Sequence, residues 1–173
     1  MKITFLHEKF QEEEFVKAPS RMLPSDEWQK SAVDDFTKLR NFLVSKFEEN
    51  ECSSSIQKYQ VQRILTELPK FSTVHNVSQS SKLKILELML DRMDTIEKGE
   101  TITYEIGIWL YTTLATLLIP LEPNAYHLLR EVARKCSKIR SNLEPDSTTD
   151  KYVPLNLIIC IIARYFNQLD LSD

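Results

Sequence analysis

The sequence predicts an all-α protein, a compact bundle of about six helices around buried central helices with a short N-terminal arm. Three observations lead there. Apolar residues recur at helical spacing along most of the chain. No segment alternates with period two for long enough to make a strand. Only two glycines, Gly99 and Gly107, occur in 173 residues, which argues against a sheet of tight primed turns.

The stretch Pro154–Asp173 reads as the central post. Leu155, Ile158, Ile159, Ile162, Phe166 and Leu169 share one helical face, and Leu157, Ile161 and Tyr165 cover another. A helix apolar nearly all round is a buried one. Pro154 is expected at its first helical position, where a missing N–H costs nothing, and Arg164, Asn167 and Asp170 are expected to end the run in water. The run is too short for a bilayer span, which takes ~20 apolar residues.

From the N-terminus, residues 1–23 are weakly patterned and form the arm: either a loosely held terminus or a segment whose aromatic residues dock on a partner. Residues 24–173 form the helical domain. Ser25 caps a first helix with Trp28, Ala32, Phe36, Leu39 and Leu43 as its stripe. Ser53–Ser55 offers a cap for a second, with Ile56, Val61, Ile64, Leu65 and Leu68, stopped by Pro69. Residues 70–78 read as a loop or a poor helical turn. A third helix runs from Ser80, marked by Leu83, Leu86, Leu90 and Met93. The fourth begins near Thr103 and is apolar almost throughout, so it should pair with the post in the interior. Gly107 within it costs ~1 kcal/mol relative to Ala, which suggests that another helix crosses closely there. After the Pro120–Pro123 turn, a fifth helix buries Ala125, Leu128, Val132, Cys136, Ile139 and Leu143, and residues 145–150 form a polar loop.

Composition narrows the function classes. The net charge is −3 and the hydrophobic fraction 42%, so no global charge draws the chain to nucleic acid or an anionic membrane. Ile3–Leu6 is too short for a signal-peptide core. Cys52, Cys136 and Cys160 show no paired spacing, which points to a reducing compartment, cytosol or nucleus. Two glycines cannot make a dinucleotide fingerprint or a P-loop. His7, His75 and His127 are far apart and join no metal-ligand motif, so no metal, cofactor or catalytic residue is assigned. A spatial Cys–His dyad remains open.

The coherent charged feature is Arg130, Arg134 and Lys138, spaced four apart on the fifth helix opposite its buried seam. It is either an ordinary solvated face or a site for an acidic partner or RNA phosphates. No aromatic residues interleave with it, which weakens the RNA reading.

Four stretches carry more than composition. Gly107–Ala115, Pro120–Arg130 with Ala133–Arg140, and Val153–Cys160 running on to Arg164-Tyr-Phe-Asn-Gln-Leu-Asp-Leu resemble the SMN-interacting protein family among the Gemins. Pro24–Arg40, with Glu27-Trp28-Gln29 and Phe36, resembles the start of that family's helical domain. The match covers a little under half the chain, and the Arg164 ending is its specific part. The resemblance implies an all-helical domain that binds a short helix near the N-terminus of the survival-of-motor-neuron (SMN) protein. It implies an arm that holds a partial ring of Sm proteins before they close on small nuclear RNA, so RNA is touched at most indirectly. It implies a non-catalytic scaffold and chaperone of spliceosomal snRNP assembly, cytoplasmic and nuclear, with no membrane. The region before Pro24 and the connection between the first two helices are shorter than the family leads one to expect. Ile108 stands where an Arg is expected before the motif Trp109. A small helical enzyme and a helical adaptor are the alternatives.

For the SMN helix, the resemblance and the exposed apolar positions together suggest a groove between the first and fourth helices. Its candidate residues are Trp28, Phe36, Ile108, Trp109 and Thr112. Ile108 lies one helical step, about 100°, off the Trp109–Thr113 line, so it points away from the core. The contact at Ile108 is expected to be hydrophobic and only weakly salt-dependent.

Overall fold

The computed structural model describes residues 14–47 and 66–173. Among the described residues six α-helices are delimited, in order: α1 (Asp26–Lys46), α2 (Phe71–His75), α3 (Gln79–Asp94), α4 (Tyr104–Thr116), α5 (Pro123–Ser141) and α6 (Thr149–Cys160). α6 runs directly into a π-helical turn, Ile161–Tyr165, closed by Phe166 N–H donating to Ile161 O at 3.2 Å. Short 3₁₀ turns occupy Ser20–Met22 and Leu169–Leu171. The fold class is all-α, and no extended strand occurs among the described residues. The expected second helix and its serine cap fall on residues 53–68, almost all of which lie outside the described residues. Residues 70–78, expected as a loop or poor turn, contain the one-turn α2.

Side-chain caps set the helix starts. Ser25 Oγ accepts from Trp28 N–H, Ser78 Oγ from Ser81 N–H and Thr103 Oγ1 from Ile106 N–H. α5 uses Pro123 at its first turn instead. Gly99, at φ +88°, makes the reversal between α3 and α4, a conformation that costs a side-chain-bearing residue more.

α6 and its π-helical turn pack against α1, α4 and α5. Leu155, Ile158, Ile159, Ile161, Ile162 and Phe166 are all buried, as a central post requires. Two details of the post differ from the sequence expectation. Pro154 lies inside α6 rather than at its start, because Thr149–Val153 are already helical. The cost is one backbone hydrogen bond, to the carbonyl of the exposed Asp150, which water can reach. Leu169, expected on the buried face, is 64% exposed. The helix ends before it: Asn167 takes a left-handed conformation, φ 56°, and turns the chain so that Leu171 enters the core instead. On α5, Leu129 is fully buried and Leu128 only partly so, a shift of one residue in the expected seam.

Residues 14–22 lie on this helical body. Phe15 and Ala18 pack against the core and Met22 is buried.

Candidate partner-binding groove

α4 and α6 meet with their N-terminal ends side by side. Thr101 Oγ1 donates to Lys151 O at 2.6 Å, and Lys151 Nζ donates to Gly99 O at 3.0 Å. Between the two helices opens a groove of about 480 Å³. Ile102, Tyr104, Gly107, Ile108 and Tyr111 form one wall, and Val153, Pro154, Leu157 and Ile158 the other. Thr103 and Asp150 stand at the end where both helices begin, and Asp150 is the one charged residue in the lining. The rim is exposed apolar surface: Tyr104 is 69% exposed and Val153 36%.

Gly107 keeps this wall open. A Cβ built there would meet only Ile102 Cδ1, at 3.7 Å. The close helix crossing expected at Gly107 is therefore not found, and the missing side chain widens the groove instead.

Of the residues expected to line a groove, Ile108 does so, half-buried on the α4 wall. The others lie elsewhere. Phe36 is fully buried, edge-on to Tyr111 and Tyr165 with ring centroids at 5.5 and 4.9 Å. Trp109 is buried and its Nε1–H donates to Glu67 O at 3.0 Å. Thr112 is buried beneath the next turn, its carbonyl accepting from Thr116 Oγ1. Trp28 is half-buried on α1 and outside the groove lining. The cause is α1 itself: its Phe36 face is drawn into the core by the aromatic residues of the last turn, which closes the α1–α4 seam.

The basic stripe of α5 does not point freely outward. Arg130 binds Asp170 bidentately, at 2.9 and 2.7 Å, and also donates to Gln168 Oε1. Arg134 pairs with Glu131 at 2.7 Å, its side chain 12% exposed. Lys138 is exposed. The C-terminal turn folds back over α5 and takes up the Arg130 charge that helical spacing alone leaves facing solvent. The Arg130 guanidinium holds the Asp170 carboxyl below the usual carboxylate range.

Among the described residues no group of three or more His, Cys, Asp or Glu side chains could hold a metal ion. No described helix is long and apolar enough to cross a membrane. Burial pushes the Cys136 thiol up to about 12 and the Cys160 thiol up to about 11. Both stay protonated at neutral pH, so neither supplies a thiolate to a Cys–His dyad. His75 is stacked on Phe47 at 4.9 Å, and burial, with Lys82 nearby, lowers its pKa.

Groove residues that sequence reasoning missed include Tyr104, Tyr111, Val153 and Leu157. The signal was present in part: Tyr104, Ile108 and Tyr111 stand at i, i+4 and i+7. It was masked because α4 is apolar all round. Placing the helix start at Pro154 also removed Val153 from any helical face.

The family described as Survival motor neuron (SMN) interacting protein 1 (SIP1) matches residues 4–169. The chain belongs to this family. It is similar to Gem-associated protein 2 of Xenopus laevis, 41% identical over 105 residues that make up 61% of this chain and 39% of the frog protein. Gem-associated protein 2 of Drosophila melanogaster is 27% identical over 165 residues, 88% of this chain and 66% of the fly protein. The chain thus spans about two fifths of the frog relative's length. A chain of the solved structure "The 8S snRNP Assembly Intermediate" superposes with a TM-score of 0.76 at 21% identity, covering 98% of this chain and 85% of that one. At that identity the likeness shows a shared fold.

Proposed function

We propose that this SMN-interacting family member is a non-catalytic scaffold and chaperone subunit of the SMN complex. It binds an N-terminal helix of SMN, and Sm proteins, during assembly of the spliceosomal snRNPs that carry out pre-mRNA splicing. It works in the cytoplasm and nucleus and touches RNA at most indirectly. Family membership supports the choice of partner. The observation that carries the mechanism is the apolar groove between α4 and α6. Its walls offer Ile108, Tyr104, Tyr111 and Leu157 over about two helical turns, a fit for an amphipathic helix with anchors at i, i+3, i+4 and i+7. Binding is driven by burying that surface, at roughly 25 cal/mol per Å².

Titration of an N-terminal SMN peptide against the wild-type chain and Ile108→Glu tests this. Ile108 is only half-buried, so the new carboxylate reaches water and the fold survives. In the groove it meets an apolar ligand face, and affinity is expected to fall at least about tenfold, or ~1.4 kcal/mol. Unchanged affinity places the SMN helix on another surface. Co-purification of Sm proteins with the wild-type chain tests the wider scaffold role.

A further inference from the structure

The groove has one charged end. Asp150, in the first turn of α6, is part of its lining. Glu105, in the first turn of α4, is fully exposed three residues before Ile108. Bonds to its own backbone N–H and to the Thr103 hydroxyl lower the Glu105 pKa and hold its charge beside Thr103, which is in the lining, while Glu105 itself stands just outside it. Nearby cations offset this end only in part. Lys151 turns away, to Gly99 O and, at 3.9 Å, to Glu100. Arg92 of α3 lies close enough to act on Glu105 and offsets part of its charge. At the Tyr111 end, Asp35 of α1 is already paired with Lys38 at 3.5 Å.

The helix termini oppose the carboxylates, so magnitudes decide. Each helix N-terminus acts as about +0.5 elementary charge. Two carboxylates outweigh the two termini of α4 and α6 by at most about one negative charge, from which the nearby Arg92 subtracts a part and leaves Asp150, in the lining itself, as the main acidic group. The opposite end, at Tyr111, Leu157 and Ile158, is apolar.

We infer that the groove selects among amphipathic helices by charge: its occupant carries Lys or Arg beside the end of its apolar stripe that lies over Asp150 and Glu105. This rests on the groove being the docking site. The apolar walls supply most of the affinity, and the acidic end supplies orientation and choice of partner. Because both carboxylates stand in water, the preference is a surface effect that salt screens.

The test uses the full chain and two synthetic helical peptides with one apolar stripe, flanked at one end by two Lys or by two Glu. At low salt the Lys peptide is expected to bind about fivefold tighter, with the gap closing near 0.5 M salt, where the Debye length is about 4 Å. Asp150→Asn with Glu105→Gln should erase the gap, and Asp150→Lys with Glu105→Lys should reverse it; thermal melts confirm that each variant is folded. Equal binding of the two peptides, or a gap that survives the neutral double variant, overturns the charge selection. Ile108→Glu separates this from the groove reading. If it weakens both peptides equally while no gap exists, only the charge inference fails. If it weakens neither, or neither peptide binds the wild-type chain, the groove reading fails with it.

Discussion

Ile161 has no exposed surface at the point where α6 widens into its π-helical turn. The extra residue in that turn re-aims the side chains that follow. Arg164 reaches Gln29 Oε1 at 2.7 Å and Asp26 at 3.0 Å, while Tyr165 and Phe166 close on Phe36. Gln168 and Asp170 are held by Arg130, and Leu171 is buried. Arg164, Gln168 and Asp170 of the Arg164–Leu171 signature thus each have a structural partner on α1 or α5. The signature knits the last turn to the body. None of these pairings was legible in the sequence, because helical spacing reports which residues share a face and not what a later turn folds onto it. The burial of Ile161 was legible. Ile161→Asp places a carboxylate in a fully buried apolar position, which costs several kcal/mol. Against a typical total of ~5–15 kcal/mol, this variant is expected to lose soluble expression or melt far below wild type. A wild-type melting curve for it would show that the post is not buried.

Among the elements, α4 depends most on its neighbours. It ends without a glycine or a side-chain cap of its own, and two cations from other helices serve instead. Arg40 of α1 donates to Leu114 O at 2.8 Å, Ala115 O at 3.2 Å and Leu117 O at 2.7 Å. Lys82 of α3, fully buried, donates to Thr116 O at 2.8 Å and His75 O at 3.2 Å. Positive charge suits the negative end of the helix dipole, and the carbonyls compensate the cations for lost water. Arg40 also lies over the Tyr165 ring at 5.4 Å, which ties the same corner to the post. Arg40→Met keeps the apolar stem and leaves these carbonyls without a donor. At ~1–3 kcal/mol for each buried unsatisfied group, a loss of about 3 kcal/mol is expected, read as a lower urea midpoint with an unchanged slope. A midpoint within error of wild type would mean that water replaces Arg40 at no cost. Helix starts were readable here because Ser25 and Thr103 are local signals. The end of α4 was not, since its caps come from residues 74 and 34 positions away in sequence. The start of α6 was misplaced for a related reason: proline marks a helix start well, but one interior proline is tolerated when the orphaned carbonyl faces water.

At the scale of the whole molecule, the two ends of the described chain meet at a buried ion pair. Arg140 and Asp173 bond at 2.6 and 2.7 Å with side chains 1% and 2% exposed. Around that pair, Ala18 N–H donates to Asp173 Oδ1 at 2.9 Å, Arg140 to Val16 O at 3.2 Å and to Asn156 Oδ1 at 2.6 Å. Asn156 in turn donates to Met22 O at 2.8 Å, and Val16 N–H to Ser137 Oγ at 3.0 Å. Residues 14–22 are therefore fastened to α5, α6 and the last turn by one connected polar network. A lone polar residue inside an apolar pattern, such as Asn156 or Ser137, hints at such a network, but its partners in residues 14–22 lie more than a hundred positions away and no spacing rule finds them. Asp173→Asn tests what the network does. It leaves the Arg140 guanidinium buried without its counter-charge, and breaking such a pair costs roughly 3–5 kcal/mol. The nearest relief is for the Val16–Ala18 segment to lift off and admit water to Arg140, which opens one end of the molecule without unfolding the bundle. Trypsin then reports the difference. Cleavage after the exposed Lys17 is expected to accelerate in Asp173→Asn before any loss of helical signal. Cleavage at the wild-type rate would show that residues 14–22 are held by the packing of Phe15 and Met22 alone.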